Sequence, residues 1–254
     1  MIELEAGSAV VTIEPSEGGR VAQIKVDGQP LLHDDRSGGP MTWGSFPMAP
    51  WAGRVRRGEF RFDELPYRLP LGLPPHAIHG TTYLAEWAVD DAGHDYCDLR
   101  TALTWPFGGI AQQHLQLDDG GLLCVLTVAA TMLAMPATIG WHPCFRRPLE
   151  ADLDFEAMYV RDAEHIATPR FEPPKAHPWD DCFVRPLGPL RLHYRGLRVT
   201  LGSDCDHWVV YDGPENVTCV EPQSGPPDAF NIGGATDLQP GDLLQRHFSI
   251  RWDV

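Results

Sequence analysis

The chain reads as all-β, a large antiparallel β-sandwich with few short helices, and three features of its sequence predict this. Gly (25) and Pro (24) are so frequent that little room is left for long helices. Apolar residues recur with period two, most clearly at Phe248, Ile250 and Trp252. Turn-forming pairs such as Asp27-Gly28, and the run Asp118-Asp119-Gly120-Gly121, separate the apolar runs. Alternating runs between Gly-bearing turns bury one face each, which is the pattern of stacked antiparallel sheets.

In chain order the strands are expected at residues 9–13 and 21–26, with Asp27-Gly28 as a hairpin turn, then at 59–62 and 67–69. Residues 114–117 and 122–128 flank the Asp-Asp-Gly-Gly turn, and 197–201, 207–211, 217–220 and 247–252 complete the set. The longest apolar stretch, 122–137, is interrupted by Thr127 and Thr131. It falls short of the roughly 18 apolar residues a membrane span needs, and it reads as buried strand. Residues 169–178, with prolines at 169, 173, 174 and 178, read as a loop of polyproline character or a mobile flap. No internal repeat is present, and a β-sandwich of 254 residues is expected to form one domain over 1–254.

A net charge of −15 disfavours nucleic acid and anionic membrane surfaces as partners, and leaves small neutral ligands acceptable. The start, Met1-Ile2-Glu3-Leu4-Glu5-Ala6, has no basic segment or long apolar run, so no secretory signal is read there. Six scattered cysteines without Cys-x-x-Cys spacing suggest reduced thiols in a cytoplasm and no structural zinc site.

Two positions carry proton chemistry. Glu221 follows the apolar run 217–220 and precedes Pro222, which cannot extend a ladder, so the carboxylate is expected at a strand end facing a cleft. His142 likewise follows an extended apolar segment and precedes Pro143. A carboxylate that accepts a proton and an imidazole that donates one, on opposite sides of a substrate, are the requirements of general acid–base catalysis.

Four motifs then occur in order: Pro50-Trp51-Ala52-Gly53-Arg54-Val55; His76-Ala77-Ile78-His79-Gly80; Trp141-His142-Pro143; and Glu221-Pro222 leading to Pro227-Asp228-Ala229-Phe230-Asn231. Their order and spacing, over nearly the whole chain, resemble the aldose 1-epimerase (mutarotase) family. The resemblance implies a galactose mutarotase-like sandwich with a sugar cleft on its concave face, and no metal or organic cofactor. It implies Glu221 as general base at the anomeric hydroxyl and His142 as general acid at the ring oxygen, with His79, Arg54 and Asp180 binding sugar. Asp180 is favoured over Asp181, and an extended segment can turn only one of the two toward the sugar. His76 is left as a partner or loop residue. Trp51, Trp87, Trp141 and Phe230 fit sugar stacking, but in a sandwich such aromatics are more often core.

The sequence departs from the family at Gly53, where asparagine usually precedes the arginine, and at Cys144, where an aromatic usually follows His-Pro. The implied activity is epimerisation of a free hexose by a monomer or homodimer. The alternatives are a hexose-6-phosphate 1-epimerase, with Arg56, Arg57, Arg146 and Arg147 as candidate phosphate contacts, and a non-catalytic sugar-binding module.

Overall fold

Alternating burial organises the molecule. The computed structural model describes residues 1–253, and its two large sheets are antiparallel. The first has 11 strands in the spatial order Ile2–Ala6, Ala9–Glu14, Arg20–Val26, Ser45–Met48, Gly140–Arg146, Val217–Gln223, His207–Tyr211, Asp180–Pro186, Phe155–Arg161 and Ala167–Glu172, with Gln29–Pro30 paired to Arg20–Val26. The second has 8, ordered Ala88–Ala92, Tyr96–Ala102, Ile110–Asp118, Gly121–Ala129, Leu243–Asp253, Leu197–Ser203, Leu190–Tyr194 and Glu150–Asp152. Among the described residues the only α-helix is the four-residue Ala229–Ile232. None is long and apolar enough to cross a membrane.

The inner faces of the two sheets form one core. Val11, Ile13 and Ile24 of the first sheet share it with Leu115, Leu126 and Phe248 of the second, each with no accessible surface. The strand Gly121–Ala129 shows how the sequence does this: even-numbered Leu122, Cys124, Leu126 and Val128 are buried, while Leu123 is exposed. Of the aromatics weighed for stacking, Trp51, Trp87 and Trp141 are buried core residues, and Phe230 packs on Phe60 with ring centroids 4.8 Å apart. The core reading holds for the three tryptophans, and Phe230 is partly buried against the core.

Several expected boundaries shift. The 122–137 stretch is two strands, Gly121–Ala129 and Met135–Ala137, separated by a turn that exposes Met132 and Leu133. Residues 169–172 belong to the strand Ala167–Glu172. That strand lies at the edge of its sheet, where a proline without an N–H is tolerated. The hairpin turn at Asp27-Gly28 joins Arg20–Val26 to Gln29–Pro30, and both turn residues adopt the positive φ that a tight two-residue hairpin requires.

The larger correction concerns His142 and Glu221, which lie inside strands and not at their ends. Gly140–Arg146 and Val217–Gln223 are adjacent, pairing Gly140 with Gln223 and Cys144 with Cys219. Between these pairs the ladder is interrupted where Pro143 and Pro222 supply no N–H. Each strand keeps its other neighbour through the gap: His142 opposes Phe46, and Glu221 opposes Val209. Proline therefore opens one ladder locally without ending either strand.

His79-Gly80 depends on a backbone constraint. His79 has φ +57° and Gly80 φ +75°, and a Cβ at Gly80 would sit 1.9 Å from the Ala49 carbonyl oxygen. Gly80→Ala is expected to lower stability by about 2 kcal/mol or more, read as a fall in urea midpoint. Gly28→Ala, at φ +78° but with open space around it, should cost only the backbone strain of about 1–2 kcal/mol. Equal losses for the two would refute the steric account.

Candidate active site

Because side chains alternate along a strand, Trp141 packs into the core against Phe248 while His142 turns to the outer face of the sheet. The same alternation sends Cys144, Cys219, Glu221, Gln223, Val209, Tyr211 and Asp180 to that face, where all of them line one cavity of about 520 Å³. Such a volume suits a small ligand. Arg54 and His79 enter the cavity from the other side. They are carried by the short antiparallel pair Arg54–Val55 and Ala77–Ile78, with the His79 N–H donating to the Gly53 carbonyl at 3.0 Å.

The interrupted register sets His142 opposite Glu221, two residues from the Cys144–Cys219 pair, and His142 Nε2 lies 3.3 Å from Glu221 Oε1. The sequence led to acid and base on opposite sides of a substrate; the structure sets them side by side. Phe46 stacks on the His142 ring with centroids 4.7 Å apart, and His79 meets it edge-on at 4.9 Å. Behind Phe46 lies Arg20, fully buried, its guanidinium 4.1 Å from the Trp43 ring centre and donating to the carbonyls of Pro40 and Trp43. The imidazole is thus clamped by an aromatic wall that a buried cation braces.

Burial and charge oppose each other in this pair. Burial pushes the Glu221 carboxyl up and the neighbouring His142 cation pulls it back, leaving it raised to about 7. Burial works against a charge on His142, but the Glu221 carboxylate and the Cys144 sulfur outweigh it and raise the imidazole to about 9. Between these values the pair holds an anionic carboxylate beside a protonated imidazole. The Cys144 thiol is held well below its usual range by the hydrogen bond from Cys219, against burial and with help from His142. His79 is pushed far down by burial and by the charges of His142 and Arg54, so it is a neutral imidazole. Its buried Nδ1 has no protein partner.

At the other end, Arg54 pairs with Asp180 at 3.1 Å, and Arg161 pairs with Asp180 at 3.0 Å and with Asp181 at 2.7 Å. Asp180 lines the cavity; Asp181 does not, and is more buried. Gly53, at φ +71°, occupies the left-handed region that glycine and asparagine tolerate best, and this accounts for the residue types at that position. The Pro-Asp-Ala-Phe-Asn run holds this segment in place. The Asp228 N–H donates to the Arg54 carbonyl at 2.6 Å, Asp228 Oδ1 accepts from the Arg56 N–H at 2.9 Å, and Asn231 donates to Asp228 and to the Glu59 carbonyl. His76 is a partner of the same loop, accepting from the Arg57 N–H at 3.1 Å.

The structure therefore brings Glu221, His142, His79, Arg54 and Asp180 to one cavity. Sequence reasoning missed Phe46, Arg20, Gln223 and Cys219. Gln223 repeats the outer-face spacing of Glu221 and donates to it at 3.2 Å; that period-two offset was the available signal. Two donor sets have ligand atoms within 4.8 Å of one another: His79, His142 and Glu221, and His142, Cys144 and Cys219.

A family model for aldose 1-epimerases matches residues 1–251. Among curated protein sequences none matches the chain significantly. Solved structures with the same fold include a protein of Escherichia coli K12 at 21% identity, TM-score 0.88, covering 99% of this chain and 98% of that one. A galactose mutarotase-like protein of Clostridium acetobutylicum is similar at 17% identity, TM-score 0.89, with 99% and 94% covered. A galactose 1-epimerase of Lactobacillus acidophilus is similar at 15% identity, TM-score 0.82, with 99% and 93% covered.

The electrostatics can be checked by NMR titration of the imidazole nitrogens. His142 is expected to titrate near 9, and Glu221→Gln should move it downward, because the burial that opposes its charge is then less compensated. His79 should stay neutral from pH 6 to pH 8. A His142 resonance that titrates unchanged in Glu221→Gln would remove the pairing.

Proposed function

Because the chain belongs to the aldose 1-epimerase family, we propose that it interconverts the α and β anomers of a free, neutral hexose by acid–base opening and closure of the ring. The observation that carries this reading is the cavity-facing pair of His142 and Glu221, 3.3 Å apart. Glu221 takes the proton of the C1 hydroxyl, and the His142 imidazolium gives its proton to the ring oxygen. The bond from C1 to the ring oxygen breaks as the C1 carbonyl forms; rotation about C1–C2 and the reverse transfers close the other anomer. Both oxygens are attached to C1, so a donor and an acceptor side by side suit the exchange. His79, neutral, serves a sugar hydroxyl as donor or acceptor. Asp180, held by Arg54 and Arg161, offers a fixed acceptor, and Arg54 a planar donor, at the far end.

The charges around the cavity favour a neutral sugar over its 6-phosphate. Asp35, Asp180 and Glu221 line it, and among the described lining residues Arg54 is the one arginine or lysine, already paired with Asp180. The four arginines considered as phosphate contacts are engaged elsewhere: Arg56 with Asp162 and Glu164, Arg57 with Glu164, Arg146 with Asp34, and Arg147 with the carbonyls of Asp212 and Pro214. The six unpaired cysteines fit a reducing compartment, and we assign the protein to the cytoplasm.

Exchange NMR on α-glucose and α-galactose is expected to show accelerated anomer interconversion. Response only to the 6-phosphate, or binding without exchange, would overturn the proposal. Glu221→Gln and His142→Ala should each reduce the rate by about 10² to 10⁴-fold. The rate should form a bell in pH, falling below about 7 as Glu221 gains a proton and above about 9 as His142 loses one. A rate flat from pH 5 to pH 10 would contradict this assignment.

A further inference from the structure

Beneath the acid–base pair, on the same face of the same two strands, lie two thiols that ring opening does not use, both within reach of the His142 ring. His142 and Cys144 are two apart on Gly140–Arg146 and so point the same way, while Cys219 stands directly across the ladder from Cys144. Cys144 Sγ is 3.5 Å from His142 Nδ1 and 3.9 Å from Cys219 Sγ, and the three donor atoms all lie within 4.8 Å of one another.

These separations can be compared with the edges of a coordination sphere. Metal–sulfur bonds of about 2.3 Å and metal–nitrogen bonds of about 2.0–2.1 Å at tetrahedral angles give donor separations of roughly 3.8 Å between sulfurs and roughly 3.6 Å between sulfur and nitrogen. Two sulfurs 3.9 Å apart are, by contrast, far from the roughly 2.05 Å of a disulfide. Cys144 and Cys219 also border the cavity, whose rim carries the exposed residues Asp35, Ser37 and Tyr211, so a hydrated ion can reach them. The remaining four cysteines are buried and do not line it.

We propose that His142, Cys144 and Cys219 form a binding site for a thiophilic metal ion of the zinc(II) class, with a fourth position open to the cavity. Two thiolates and one neutral imidazole are a borderline-soft donor set, suited to zinc or cadmium rather than to magnesium or calcium. On binding, the cysteines give up the thiol protons they still hold and the His142 imidazolium gives up its Nδ1 proton, all to solvent, and the two thiolates balance the charge of the dication. Occupancy removes Nδ1 from protonation. The imidazole can then no longer cycle between its cationic and neutral forms at Nε2, and giving up that proton would leave an imidazolate. The bound ion should accordingly inhibit epimerisation; this consequence, though not the binding itself, rests on the function proposed above.

The test is titration of the reduced, metal-free protein with cadmium chloride, followed by the ultraviolet thiolate-to-cadmium charge-transfer band. One equivalent is expected to saturate the band, and Cys219→Ser and Cys144→Ser should each abolish saturable binding. The absence of a band in the unaltered protein, or an undiminished one in folded Cys219→Ser, would overturn the site. Zinc chloride added to the exchange assay should slow the unaltered protein at least ten-fold more than Cys219→Ser, each relative to its own metal-free rate. Equal inhibition would overturn the link to His142. A cadmium band in a protein without epimerase activity would leave the site standing and remove the proposed function instead.

Discussion

The register between the strands Gly140–Arg146 and Val217–Gln223 is the constraint on which the rest of the site depends. It sets His142 against Glu221 and Cys144 against Cys219 on a face opposite the core. A slip of one residue in either strand would turn its own pair inward, His142 with Cys144 or Glu221 with Cys219, and expose Trp141 with Pro143 or Val220 with Pro222 instead. The core prevents such a shift, because Trp141 is buried against Phe248 and its indole N–H donates to Gln113 at 3.2 Å. Packing of the sandwich interior thus fixes which groups reach the cavity.

Within that frame the buried ion pair is costly to hold, since each partner loses hydration. The surroundings limit the loss without cancelling it. Gln223 donates to Glu221, and Phe46, braced by Arg20, supplies a flat wall that fixes the imidazole plane. Both members keep a raised pKa, so a protonated imidazole and an ionised carboxylate coexist only between about 7 and about 9. Poise of this kind belongs to groups that exchange protons in turn.

Much of the fold was legible in the sequence because period-two patterning and turn residues are local signals. The strands Glu59–Phe62 and His207–Tyr211 fall where the alternation puts them. Long-range pairing is not a local signal, and the failures follow from that. Pro143 and Pro222 read as strand terminators, but each lies in a central strand whose other neighbour keeps its pairing. Cys144 and Cys219 read as unrelated thiols because 75 residues separate positions that the sheet makes adjacent. Asp180 and Asp181 could not be separated by type, and only the neighbouring strand decides that Asp180 reaches the cavity. The Pro-Asp-Ala-Phe-Asn run was legible as a motif, but its hydrogen bonds to the Arg54–Arg56 backbone, which make it a brace, were not.

The central claim is that His142 and Glu221 act as one proton-exchanging unit. A double-mutant cycle on the rate of anomer exchange tests it most directly, using His142→Ala, Glu221→Gln and the combined variant. For a unit, the combined variant should be no slower than the slower single variant, within about a factor of three. Losses that multiply, so that the double variant is slower by the product of the two single effects, would contradict the account.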